Sequence, residues 1–180
     1  MTTALLLMDL QVGVINRLGA DGDYLDRAVQ AQEHAEQTGI PVFLVHHDFS
    51  APRPVGPPPG SAPRMTLEGP DAELHPRLLR GRGEVVVTKA RTSAFAGGAL
   101  QTALAAVGAT HLVLAGLATS GVVLSTVREA ADRDYELTVL TDLCLDFDAE
   151  VHRVLTQKVF PRQATGLSVA DWTSASKGNS

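Results

Sequence analysis

The sequence predicts an α/β protein, a three-layer αβα sandwich built on a mainly parallel sheet of about six strands with Rossmann-like topology. Three observations lead there. Short apolar runs recur between turn signals, the form taken by strands buried on both faces. Stretches with helical spacing separate those runs, so strand and helix alternate as βαβ units with right-handed crossovers require. The apolar content is aliphatic, 44% hydrophobic residues against only 4% aromatic, which suits such a core better than a β-sandwich.

Each element has its own warrant. The runs "ALLLM" (4–8), "PVFLVHH" (41–47), "EVVVT" (84–88), "HLVLAGL" (111–117) and "LTVLTDL" (137–143) read as five strands, and "ATGLSV" (164–169) as a weak sixth. Between the first two, "DYLDRAVQAQEHAEQTG" sets Leu25, Ala28, Val29 and Ala35 on one helical face, interrupted by Gln32 and stopped at Gly39. Leu100, Ala103, Leu104 and Val107 form an i, i+3, i+4, i+7 stripe in "SAFAGGALQTALAAVGA", with Ser93 as its expected N-cap. Val123, Val127, Ala130 and Ala131 mark a further helix, and Val151, Val154, Leu155 and Val159 another. One segment breaks the rhythm. "SAPRPVGPPPGSAPR" (50–64) holds six of the ten prolines and reads as a loop of polyproline character, a lid or a partner contact within one domain spanning 1–180.

The totals exclude several function classes. Net charge is -5 and the Lys and Arg residues are scattered, so no nucleic-acid footprint exists. The apolar run before Asp9 is too short for a signal peptide or a membrane span, and the single Cys144 cannot form an internal disulfide. A cytoplasmic location is the expectation. No dinucleotide fingerprint, P-loop, nucleophile elbow or zinc-protease motif is present, and no cofactor is implied.

Ligands of open parallel sheets bind beyond the carboxyl ends of the strands. That rule selects Asp9, the group His46, His47 and Asp48, Lys89, the pair Thr119 and Ser120, and Asp142. Asp9 either caps a turn or supplies a carboxylate for acid–base work. Lys89 closes a buried strand and needs a counter-charge, for which Asp9 is the natural partner if the first and third strands lie side by side. The histidines offer either metal ligation, with His75 as the only nearby third ligand, or ordinary packing, because alternate strand residues point oppositely. His111 and His152 read as structural. Cys144, between two leucines, is either a small buried hydrophobe or a nucleophile with nothing adjacent to depress its pKa.

Three segments together resemble the isochorismatase-like hydrolase superfamily, which includes nicotinamidases, carbamoylsarcosine amidases and isochorismatases. "LLLMDLQVGVI" is similar to the opening strand with the catalytic Asp, here Asp9. "VVVTKARTSAFAGGAL" is similar to the segment with the catalytic Lys, here Lys89. "VLAGLATSGVVLSTVREAADRDYELTVLTDLCLD" is similar to the segment that holds the nucleophilic Cys, but Val122 stands at that position. The resemblance implies a cis peptide between Leu117 and Ala118, an oxyanion pocket from the Ala118 and Val122 backbone N–H groups, and a pocket completed by Thr119, Gly121, Phe49 and Gln11. It also implies Arg91 as the holder of a substrate carboxylate, a small-molecule substrate, no metal, no membrane or nucleic-acid partner, and a homodimer or higher homo-oligomer.

True isochorismatases in this superfamily also lack the Cys and resemble vinyl-ether hydrolases that use the Asp as acid, usually with Gly where this chain has Val122. Three functions follow as alternatives. One is a Cys-independent hydrolase of a small cyclic or carboxylated substrate. Another is a binding or regulatory protein that keeps the pocket without turnover. The third is an amidase-type hydrolase with a displaced nucleophile at Ser120, Ser125 or Cys144.

Overall fold

The computed structural model describes residues 2–20, 22–53, 55–61 and 63–175. Six strands form one sheet: β1 (Thr3–Met8), β2 (Val42–His47), β3 (Val85–Lys89), β4 (His111–Leu117), β5 (Glu136–Leu145) and β6 (Thr165–Leu167). Their order is β3-β2-β1-β4-β5-β6, and every pairing is parallel. The chain therefore winds outward from β1 in one direction and from β4 in the other. The crevice between the carboxyl ends of β1 and β4 is the topological switch point where such sheets hold ligands.

Alternation along each strand splits the core in two. Leu5 and Leu7 of β1 face helices α1 (Val12–Leu18), α2 (Asp23–Gln37) and α6 (Val169–Ala175), whereas Ala4, Leu6 and Met8 face α3 (Ala99–Ala106) and α4 (Leu124–Ala131). The short α5 (Ala149–Val154) buries none of its own residues, and the turn after it supplies Leu155 to the second layer. No helix among the described residues is long and apolar enough to cross a membrane.

All six strands lie where the apolar runs place them; one helix is unannounced by the sequence pattern, and two local expectations need correction. Helix α1 has no strong stripe in the sequence and forms directly after Asp9, with only Gly13, Val14 and Ile15 buried. Its Gly13 sits tightly against a neighbouring loop: a Cβ there would meet Leu67 Cδ2 at 2.6 Å and the Asp71 carbonyl oxygen at 3.1 Å. Residues 169–175, which sequence patterning assigns in part to a strand end, form α6 instead; Trp172 and Val169 bury against the first layer, and the Val169 N–H donates to Asp142 Oδ1 at 2.9 Å. Ser93 does not cap α3, whose N-cap is Gly98 in the left-handed region at φ 80°. Ser93 Oγ accepts from the Phe95 N–H and donates to Glu129 of α4, while the Ala94 N–H donates to Thr126 Oγ1. The stretch after Lys89 is thereby pinned to α4 before the helix begins. Gln32 interrupts its stripe yet is buried, because its Nε2 donates to the Leu78 carbonyl at 3.1 Å.

Candidate active site

Asp9 follows β1 with φ 57°, a left-handed conformation that aspartate tolerates better than most residues, and its N–H continues the sheet by donating to the Val45 carbonyl at 2.7 Å. Lys89 ends β3, with a side chain only 1% exposed. Its Nζ donates to Asp9 Oδ2 at 2.9 Å and to the Arg91 carbonyl at 3.1 Å. The expected ion pair forms, but not between neighbouring strands. β2 lies between β1 and β3, and the lysine reaches across the carboxyl end of β2, where His47 stands opposite Lys89 in register. Length decides it: a lysine can span a strand that a shorter cation could not.

Both charges share one wall of a cavity of about 430 Å³. Lysine stabilises the carboxylate form of Asp9, but burial outweighs it and pushes the carboxyl up to about 6. Asp9 Oδ1 is buried and has no hydrogen-bond partner among the described residues. Such a carboxyl can carry a proton at moderate pH.

His47 forms the next part of the wall. Burial, then Lys89 and Arg53, pushes its imidazole down to about 4, so it is neutral near pH 7. Arg53 Nη2 lies 3.0 Å from His47 Nε2 and Lys89 Nζ lies 3.5 Å from Nδ1; both cations can only donate, and the shorter contact makes Nε2 the acceptor. The ring meets Phe49 edge-on at 4.8 Å. His46 points to the sheet's other side and bonds Thr88 Oγ1 at 2.8 Å, as strand alternation requires. His75 Nδ1 accepts from the Arg77 N–H outside the cavity. Among the described residues no group of three His, Cys, Asp or Glu is placed to hold a metal ion.

The opposite wall comes from the end of β4. The Leu117–Ala118 peptide is cis, and the chain then turns through Thr119–Val123, with Ala118, Gly121 and Val122 lining the cavity. Val122 is 2% exposed. The one thiol, Cys144, lies opposite Gly116 in the β4–β5 register but does not line the cavity. Cys144 is buried in the second layer, where burial pushes its thiol up to about 12, so it is a packing residue and not a nucleophile at neutral pH. Ser120 is exposed, its N–H donates to Asp146 Oδ2, and neither it nor Ser125 lines the cavity.

Of the pocket residues expected from sequence, Asp9, Lys89, Phe49, Ala118, Gly121 and Val122 line the cavity, and three others do not. Thr119 is fully buried, and its Oγ1 lies 2.9 Å from His152 Nδ1, so it ties the turn to α5 instead of facing a ligand. Arg91 turns outward to the Ala90 and Pro52 carbonyls and anchors the root of the Pro-rich segment. Gln11 is fully buried; its Nε2 donates to the His47 carbonyl at 2.9 Å and to the Ala72 carbonyl at 2.6 Å, and its Oε1 accepts from the His47 N–H at 3.0 Å. It positions the strand end that carries His47. Gln11→Ala would leave the His47 N–H and two carbonyls unpaired, and we expect a stability loss of about 1–3 kcal/mol by chemical denaturation. A loss within a few tenths of a kcal/mol would show that water replaces the side chain. Asp142, also on the strand-end list, lies within β5 and pairs with Arg27 and the start of α6.

Sequence reasoning missed Arg53 and Arg64, both of which line the cavity from the Pro-rich segment, and Phe147, which lies 62% exposed at its rim. The two arginines frame the proline run in sequence, and that flanking was the only available signal.

With the Asp9–Lys89 pair and the cis turn in place, comparison with known proteins becomes specific. The sequence matches the Isochorismatase domain over residues 3–171. The chain belongs to the isochorismatase family. It is 30% identical to the uncharacterized isochorismatase family protein YecD of Escherichia coli O157:H7, over 94% of each chain. It is 29% identical to the ureidoacrylate amidohydrolase RutB of Methylobacterium radiotolerans, over 78% of this chain and 66% of that one. The solved structure of an isochorismatase family protein from Burkholderia thailandensis superposes with a TM-score of 0.87 at 26% identity, covering 98% of this chain and 96% of that one. The family's architecture accounts for the switch-point cavity, and the side chains within it are this chain's own.

Proposed function

We propose that this isochorismatase-family protein is a hydrolase that works without a cysteine nucleophile, on a small cyclic or carboxylated substrate, with vinyl-ether hydrolysis as the reaction type. The state of Asp9 carries this reading: a carboxyl raised to about 6, on the cavity wall, with one oxygen held by Lys89. Protonated Asp9 transfers its proton to the enol-ether carbon, leaving an oxocarbenium ion and the Asp9 carboxylate. Lys89, 2.9 Å away, stabilises that carboxylate as it forms. Water adds to the oxocarbenium carbon and returns a proton to Asp9, and the resulting hemiketal collapses to a carbonyl compound and an alcohol. Backbone N–H groups of Ala118 and Val122 are the proposed donors to the substrate oxygen.

An amide substrate, of the kind named for the RutB relative, would need an attacking group at position 122 that valine cannot supply. A binding protein without turnover is the second reading, and Val122 is the observation that favours it.

The test is hydrolysis of isochorismate and of a panel of primary amides by the wild type and by Lys89→Ala. Vinyl-ether turnover that drops by about 10²-fold or more in the variant supports the proposal. Turnover that is unchanged in the variant points to another site or a contaminant, and no turnover alongside ligand binding supports the second reading. Val122→Cys is the companion probe. We expect it to acquire amide hydrolysis that depends on Asp9, measured by ammonia release; no gain in a folded variant would show that more than the nucleophile separates this site from the amidases.

A further inference from the structure

The outer rim of the cavity carries charge that proton transfer at Asp9 does not use. Arg53, Arg64 and Arg91 surround a smaller recess of about 200 Å³, and Arg53 and Arg64 also line the main cavity, so the two spaces share a wall. The chain as a whole carries net charge -5, yet none of these three guanidiniums forms an ion pair with a described residue. Elsewhere Arg27, Arg77, Arg80, Arg133 and Arg153 find carboxylates, whereas Arg17, Arg82, Arg128 and Arg162 form no ion pair with a described residue. What sets the trio apart is that its three guanidiniums line one recess.

What the three do bond is neutral. Arg53 donates to His47 Nε2 at 3.0 Å and Arg91 donates to the Ala90 and Pro52 carbonyls, so no described carboxylate is paired with them. Arg64 makes no hydrogen bond to a described residue and is free to turn inward. Burial and then the repulsion of Arg64 and Arg91 hold the Arg53 guanidinium below its ordinary pKa. Three gathered like charges are unfavourable unless something of opposite sign joins them, and guanidinium forks match oxyanions in a bidentate way.

Position narrows the ligand further. The recess lies across the His47 ring from Lys89, and the space between is bounded by the apolar side chains of Phe49, Met65 and Phe147. We infer that Arg53, Arg64 and Arg91 form an anion-binding lobe, and that the molecule entering the cavity has an apolar body ending in a dianionic oxyanion group, either a phosphate or a pair of carboxylates. This deepens the reading above by naming the substrate's charge, and rests on it only in equating ligand with substrate.

The experiment is isothermal titration calorimetry at low ionic strength with inorganic phosphate, succinate and acetate. The proteins are the wild type, Asp9→Asn, Arg64→Gln, and the double variant Arg53→Gln/Arg64→Gln, each checked for folding by thermal melt. We expect phosphate or succinate to bind at least tenfold more tightly than acetate, Asp9→Asn to retain that preference, and the double variant to lose it. Arg64→Gln alone removes no hydrogen bond to a described residue, and is expected to weaken dianion binding several-fold even if the double variant fails to fold. Preference for phosphate assigns a compact dianion, and preference for succinate assigns two carboxylates. Equal affinity for all three anions, or dianion binding unchanged in folded Arg64→Gln, overturns the inference. Dianion binding without any turnover counts against the hydrolase reading alone, and vinyl-ether turnover without dianion preference counts against the lobe alone.

Discussion

Asp9→Asn is expected to lower kcat/KM for a vinyl-ether substrate by about 10²–10⁴-fold, the range by which a positioned general acid contributes. The wild-type pH profile should name the role as well as the residue. Asp9 is raised from 3.8 to about 6, so its protonated form dominates below about 6 and declines above. An acid role requires kcat/KM to be level below pH 6 and to fall roughly tenfold per unit above it. A base role, as activation of a thiol would need, requires the opposite limb, with activity lost below pH 6. A profile that rises through pH 6 would therefore sink the acid assignment even if Asp9→Asn is inactive. The same shift has a consequence for folding. Between pH 3.8 and about 6 the folded protein binds the Asp9 proton more tightly than the unfolded chain does, so this group's contribution to stability falls as pH rises through that window.

Gly116→Ala is the substitution expected to cost most in stability. Gly116 lies opposite Met8 in the β1–β4 register, at the point where the β4–β5 pairing shifts. A Cβ at Gly116 would lie 2.3 Å from the Met8 carbonyl oxygen and 2.9 Å from Met8 Cβ. The obstruction is backbone in the central strand, which cannot rotate away as a flexible side chain could. We expect a loss of about 3 kcal/mol, seen as a melting temperature lower by roughly 6–12 °C. Activity should fall too, because the displaced residues lead into Asp9 on one strand and Ala118 on the other. A folded variant within about 1 kcal/mol of wild type would show that β1 and β4 can separate at this point without penalty.

How far the sequence reached depended on the kind of feature. Strands such as β4 were legible because burial on both faces leaves an uninterrupted apolar run. Helix α1 was not, because it is short and buries a single side that includes a glycine. Asp9 and Lys89 stood out as charges closing apolar strands, and their pairing was expected. The route of that pairing was not, since strand order is settled by crossovers and not by local pattern. Gln11 and Thr119 were expected in the pocket from the family resemblance, which does not show which way either side chain points in this chain. Both turn inward to satisfy buried backbone or ring atoms, a hydrogen-bond requirement visible only after packing.

The sequence by itself determined the layered α/β architecture, the candidate acid and its lysine, and the absence of a thiol at position 122. These depend on periodicity and on residue identity, which are properties of the chain read locally. The tertiary structure alone decided that Lys89 spans β2 to reach Asp9, that burial raises the acid to about 6, and that Arg53 and Arg64 line the cavity where Arg91 does not. Each of those depends on distance and desolvation between residues far apart in the chain, quantities that come into being only when the sheet closes around them.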